Sequence, residues 1–283
     1  MKKSLSLKLI VFSLFLVVAS ISYSAPVFQE GTGSHSTEAG VVNTASGQES
    51  SAFGYSNTAS GQESSAFGYG NKASGQMSSA FGWWNEASGR QSSAFGYQNI
   101  ASGQESLAFG NGNTASGKKS SAFGYDNTAS GENSSAFGYW NKASGKESSA
   151  FGYKNIVGEL KDDGSGNLIP DENFGEKSLA LGTEYKVTGN FSGAFGVGKA
   201  TWNNTTKVFD YDYINEGKNS YMFGNYNKIA AGTENNFILG NNVSIGSGIN
   251  NSVALGNNST VSSSNEVSVG SKGKERKITN VED

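Results

Sequence analysis

The chain has 283 residues, among them 39 glycines, two prolines and no cysteine, and its 21 Lys and Arg nearly balance 24 Asp and Glu. That composition excludes a large conventional core and a disulfide scaffold. The balanced charge excludes the basic stripe of a nucleic-acid binder, so neither DNA nor RNA is an expected partner.

Met1-Lys2-Lys3 is followed by a mostly apolar run from Leu9 to Ala19 and small residues at Ser20, Ser22, Ser24 and Ala25, the layout of a secretory signal peptide. Cleavage is expected after Ser24, giving a signal peptide over 1–24, because Pro26 would be awkward directly after the cut. The apolar run is shorter than the ~20 residues a spanning helix needs. Residues 25–42 read as a lead-in with a first irregular coil. Small exported domains usually replace a missing core with disulfides. Without cysteine, something else must hold this chain together.

From Asn43 to Lys154 one unit of fourteen residues repeats eight times, beginning Asn43-Thr44-Ala45-Ser46-Gly47-Gln48-Glu49-Ser50-Ser51-Ala52-Phe53-Gly54-Tyr55-Ser56. Each unit holds two Ala-x-Gly triplets seven residues apart, as at Ala45/Gly47 and Ala52/Gly54. Seven residues suit a strand and a turn, whereas a pair of helices needs ~34. The expected fold class is all-β, a β-solenoid whose coils stack in parallel and share backbone hydrogen bonds along a rod.

Alternation along the strands decides what faces inward. Lys72, Glu86 and Lys142 precede the first alanine of their units and cannot be buried unpaired in a narrow tube, so the Ala and Gly side is the interior. By the seven-residue symmetry Ala52 and Gly54 point in and Phe53 points out. The other arrangement, Phe inward against the opposite Ala and Gly, would also bury Ser51 and its equivalents. With Phe outward, Phe53, Phe67, Phe81, Phe95, Phe109, Phe123, Phe137 and Phe151 form one apolar stripe, larger than a soluble monomer usually exposes. Such a stripe calls for self-association.

Asn43, Asn57, Asn71, Asn85, Asn99, Asn113, Asn127 and Asn141 are read as a structural ladder at one turn of each unit, where Asn tolerates positive φ. The aromatic after Ala-Phe-Gly, at Tyr55, Tyr69, Trp83, Tyr97, Tyr125, Tyr139 and Tyr153, is either a ligand platform or packing for its neighbour. The repeat then breaks twice: sixteen residues are inserted before Gly175 and fourteen before Gly217. Both insertions, near 158–174 and 200–216, fall on the half-coil opposite the Phe stripe and read as projecting hairpins; the second alternatively reads as one degenerate coil. Loops on a rigid repeat are where binding concentrates. Trp83, Trp84, Trp140, Trp202, Tyr211 and Tyr213 are accordingly the candidate ligand-binding residues. The Asp162 to Asn167 run offers oxygen ligands but lacks the spacing and closing Glu of a calcium loop, and no metal or cofactor is expected.

Asn251-Ser252-Val253-Ala254-Leu255-Gly256-Asn257-Asn258-Ser259 resembles the head repeat of the YadA-type trimeric autotransporter adhesins, N-S-V-A-I-G-x-x-S. The run from Asn265 to Val281, with Val267, Val269, Gly270, Arg276, Ile278 and Asn280, resembles the neck of the same family. The resemblance implies a left-handed parallel β-roll over 43–264, a neck over 265–283 and packing of three chains about one axis, with Val267 and Val269 in the interface. It also implies display on the outer membrane of a Gram-negative bacterium and attachment to host matrix of the collagen or fibronectin type, or to cells. The regular units carry Ser-Ala-Phe-Gly where the family has Ser-Val-Ala-Ile-Gly, so the family's collagen contact is not carried onto them. The chain ends at Glu282-Asp283, where the family continues into a stalk, which reads as a truncated frame lacking an anchor.

Catalysis is not expected. His35, the only histidine, lies among glycines in the lead-in, and Glu49, Glu63, Glu105 and Glu147 recur at an exposed turn and not as a pair in a cleft. Gly112 to Lys119 nearly fits a phosphate loop but has Lys where Ser or Thr should bind magnesium. No small-molecule substrate is implied. The alternatives to an adhesin head are a structural or ice-binding solenoid, whose hydroxyl array Lys72, Glu86, Ile100 and Lys142 would spoil, and a non-functional adhesin fragment.

Overall fold

A computed structural model describes residues 28–165 and 168–281; the expected signal peptide lies outside them. All regular elements among the described residues are strands. They form a β-solenoid with two sheets, one of sixteen strands and one of thirteen. Each regular unit contributes five residues to the long sheet, as in Ser51–Tyr55, and two to the short one, as in Thr44–Ala45. Neighbouring strands pair in parallel, fourteen residues apart, so that Ala94 meets Ala108 and Phe95 meets Phe109. We number the regular coils one to eight, from residues 43–56 to residues 141–154.

The interior is as narrow as the alanines require. Ala45 and Ala52, and their equivalents through Ala143 and Ala150, are 0% exposed. Phe53 stands on the outer face, which settles the direction of the stripe and removes the inward alternative. Gly47 is buried as expected, but Gly54 is not. Its φ of +115° breaks the alternation that would have turned it inward, and a side chain there would strike the Gly68 carbonyl of the next coil. Gly54, Tyr55 and Ser56 therefore all lie outside.

The interior slot at this corner belongs to Asn57 and its equivalents, which are buried and not at positive φ. The left-handed residue is the one before, such as Ser56, Trp84 or Trp140. Each asparagine closes the corner: Asn71 donates Nδ2 to the Asn57 Oδ1 at 2.9 Å, the Phe67 carbonyl at 2.9 Å and the Gly82 carbonyl at 2.7 Å. Asn85 then donates to its Oδ1 in turn. The other corner of the regular coils has no such ladder, and the buried hydroxyls of Ser50, Ser64, Ser78, Ser92, Ser106, Ser120, Ser134 and Ser148 find no partner; beyond coil eight the equivalent Ser178, Ser192 and Ser220 do accept from the N–H of the following coil.

Beyond coil eight the tube widens. Val157, Val187, Met222, Ile229, Ile238 and Ile245 replace alanines in the interior, and the register lengthens to sixteen between Phe223, Leu239 and Leu255. Larger side chains need a longer perimeter. Tyr185 takes an asparagine slot and is fully buried, with its hydroxyl donating to the Gly224 carbonyl and accepting from the Asn227 N–H. Burial raises its pKa to about 12.

The N-terminal end is closed by an antiparallel strand, Gln29–Glu30, paired with Thr37 and Glu38. Glu38 stands in register with Ala52, and its Oε1 accepts the Ala45 N–H at 2.7 Å. Both insertions are hairpins: Glu159–Asp162 with Leu168–Asp171, and Ala200–Asn203 with Val208–Tyr211. They flank the short sheet at opposite corners, the first following Ile156–Val157 and the second preceding Ile214–Asn215.

Candidate functional site

The outer face of the long sheet carries two aromatic columns. In the first, Phe rings stack at the rise of the coils: Phe53 and Phe67 lie 4.7 Å apart, Phe67 and Phe81 4.8 Å, Phe123 and Phe137 4.7 Å. Most are half-buried against one another, but Phe109 is 52% exposed, tilted by 36° and 6.3 Å from Phe95. In register the column continues through Leu181, Phe195, Phe223, Leu239 and Leu255. Val267 pairs with Val253 on the same strand edge and is exposed, and Val269 is half-buried two residues on. The apolar stripe thus runs nearly the length of the molecule.

The second column holds Tyr55, Tyr69, Trp83, Tyr97, Tyr125, Tyr139 and Tyr153. Tyr125 and Tyr139 stack at 4.8 Å and 6°, whereas Trp83 turns 74° from Tyr97. Beside it run the left-handed corner residues, Ser56, Gly70, Trp84, Gln98, Gly112, Asp126, Trp140 and Lys154. Trp84 leans over Gly70, where a side chain would collide with its indole.

The six candidate ligand residues separate into three places. Trp83 and Trp84 stand together in coil three. Tyr213 packs on Tyr226 at 5.3 Å, beside a groove of about 280 Å³ lined by Lys228, Asn242, Val243 and Ser244. Trp140, Trp202 and Tyr211 meet because the second hairpin folds back onto coils seven and eight. Its Phe209 lies 5.1 Å from Trp202 and 5.9 Å from Trp140, and the Tyr211 hydroxyl donates to the Lys154 carbonyl at 2.8 Å. Burial pushes the Tyr211 pKa up, reinforced by the negative charge of Glu184.

Lys154 is the centre of this cluster, and sequence reasoning missed it. Its ammonium sits 4.3 Å from the Phe209 ring, 4.9 Å from Tyr153 and 5.4 Å from Trp140, and 3.6 Å from the Glu184 carboxylate. Such cation–π contacts gain strength as water is excluded. Lys154 was readable only as the last residue of the last regular unit; that the hairpin returns to cover it depends on which way the chain leaves the corner. Around the first hairpin, Glu159 pairs with Lys186 at 2.6 Å. Burial pushes the Lys142 ammonium below its ordinary value, against the attraction of Glu159.

At the C-terminal end Arg276 folds back on the last coil, donating to Ser259 Oγ and to the Val269 and Asn257 carbonyls. It fills the space over Gly256, where a side chain would meet the guanidinium at 2.9 Å. Among the described residues no group of three His, Asp or Glu side chains comes together to hold a metal, and no helix is long and apolar enough to cross a membrane.

The family model described as the YadA head domain repeat, two copies, matches residues 45–71, 73–99, 101–127, 129–155 and 250–270. The residues between the last two matches carry both hairpins. No curated protein matches the chain. Head repeats at both ends of one solenoid, with their alanines inside and their apolar column outside, make this chain a YadA-type head, of the trimeric autotransporter adhesin kind.

Proposed function

We propose that three copies of this head pack along their Phe columns and that the trimer is the binding part of a bacterial surface adhesin. It attaches the cell to host extracellular matrix of the collagen or fibronectin type, to host cells or to neighbouring bacteria. The reading is carried by the apolar column from Phe53 to Leu255, which no strand among the described residues covers; Phe28 packs on Phe53 alone, at its N-terminal end. Fully burying such a side chain is worth about 1.5 to 3 kcal/mol, and each half-buried position adds part of that, so the gain grows with the dozen positions set against the cost of association. Family membership supports the same assembly, and the chain's first residues support export to the surface of a Gram-negative cell.

Sedimentation equilibrium of the full chain tests the assembly. The expected mass is that of a trimer, and Phe95→Glu, which sets a charge in the middle of the column, is expected to shift it at least tenfold in concentration towards monomer. A wild-type rod that stays monomeric would sink the proposal. Retention of the wild-type trimer on collagen- or fibronectin-coated surfaces, or clumping of cells displaying it, then tests the attachment; neither would leave the head without the assigned role.

A further inference from the structure

Coil five departs from its neighbours at two adjacent positions on the outer surface. Where six of the eight regular coils place a tyrosine and one a tryptophan, it has Asn111, and at the corner it has Gly112. The aromatic column is therefore interrupted: Tyr97 and Tyr125 stand two coil rises apart, about 9.6 Å, with no ring between them. Neighbouring rings elsewhere in the column are 4.8 to 6.0 Å apart, so the gap is the size of one missing ring.

The slot is lined differently from the column it interrupts. Asn111 is exposed at its floor. The Asp126 carboxylate leans in over Gly112, with Oδ1 2.6 Å from where a side chain at that glycine would begin. That carboxylate is fixed by the Trp140 indole, which donates Nε1–H to Oδ2 at 3.0 Å. At the other wall Gln98 holds the corner next to Tyr97.

We infer that this slot binds one ring of a neutral oligosaccharide. A sugar ring has apolar C–H faces suited to the walls and hydroxyls around its edge for the Asn111 amide and the Asp126 carboxylate. An aromatic side chain would fill the same space but leave those polar groups unmatched, at the cost of their desolvation. Of the residues at the Tyr and corner positions of coils four to six, Asp126 is the only charged one, which disfavours an anionic sugar. The slot lies within one protomer, so its occupancy and the trimeric assembly are read separately.

The test is Asn111→Tyr, which restores the residue found at this position in six other coils and so closes the slot while keeping the fold. The full chain is applied to a printed array of neutral and sialylated oligosaccharides. Wild type is expected to be retained on neutral oligosaccharides, with Asn111→Tyr at least tenfold weaker and an unchanged circular dichroism spectrum. Asp126→Asn is expected to weaken retention severalfold. The inference is overturned by absence of retention, by retention that Asn111→Tyr leaves intact, or by displacement with N-acetyl-tyrosinamide and not with the free oligosaccharide.

Discussion

Asn99 and Ser92 are both fully buried, both polar and both repeated in every coil, yet they do opposite things for stability. Asn99 donates to Asn85 Oδ1, the Phe95 carbonyl and the Gly110 carbonyl, and its own Oδ1 accepts from Asn113 twice. Replacing it with alanine leaves buried partners on both sides unsatisfied, so Asn99→Ala is expected to cost about 2 to 4 kcal/mol in a urea melt. Ser92→Ala removes a hydroxyl that has no partner and is expected to be neutral or stabilising by up to about 1 kcal/mol. The asparagine ladder was legible as a repeat, but its place was not. Reading Asn as a turn residue put its φ positive, whereas the turn is taken by the residue before it, whose identity varies from Ser56 to Trp84 to Lys154 because the turn itself needs only its backbone. Glu38 escaped notice for the opposite reason: it occurs once, in a coil that does not match the repeat.

The elements differ in how far a sequence discloses them. The long-sheet strands follow from the Ala interior and the Phe column, since eight copies repeat both. The seven-residue symmetry, carried through Gly54, was wrong because one glycine at φ +115° ends the alternation and makes the two half-coils five and two residues of strand. The hairpins announced themselves as breaks in phase, but not the direction of the second. Its docking is fixed by Tyr211, and the asparagine column it interrupts is bridged by Tyr185. Tyr185 is fully buried and Tyr211 half-buried, and both have raised pKa values, Tyr185 to about 12. In the unfolded chain Tyr185 ionises near 10.0, so its contribution to stability is fully present below that pH and is lost as pH climbs from 10.0 towards about 12. An absorbance titration at alkaline pH is expected to show these two tyrosines ionising last, together with loss of the solenoid signal; Tyr185→Phe, which gives up two buried hydrogen bonds, is expected to lower stability at neutral pH and to make its loss above pH 10.0 less steep.

At the scale of the whole molecule the rod is a stack with two ends, and the N-terminal one is sealed by Glu38 and the antiparallel strand before it. An open strand edge is a template for other chains. Glu38→Ala frees the Ala45 N–H, and its amide is expected to exchange with solvent at least tenfold faster while amides of coils four to six stay unchanged; equal protection would show that the carboxylate does not seal the end. The slot at coil five was invisible to a reading that looked for recurring residues, since its signal is one ring that fails to recur. The parallel stacking has a mechanical consequence. Tension applied between the two ends pulls along the backbone hydrogen bonds and loads them one coil at a time, as in peeling tape. A coil that occupies about 4.8 Å of rod releases close to 45 Å of chain when it comes away. A head so built is expected to lengthen under tension one coil at a time, the coils still stacked staying folded.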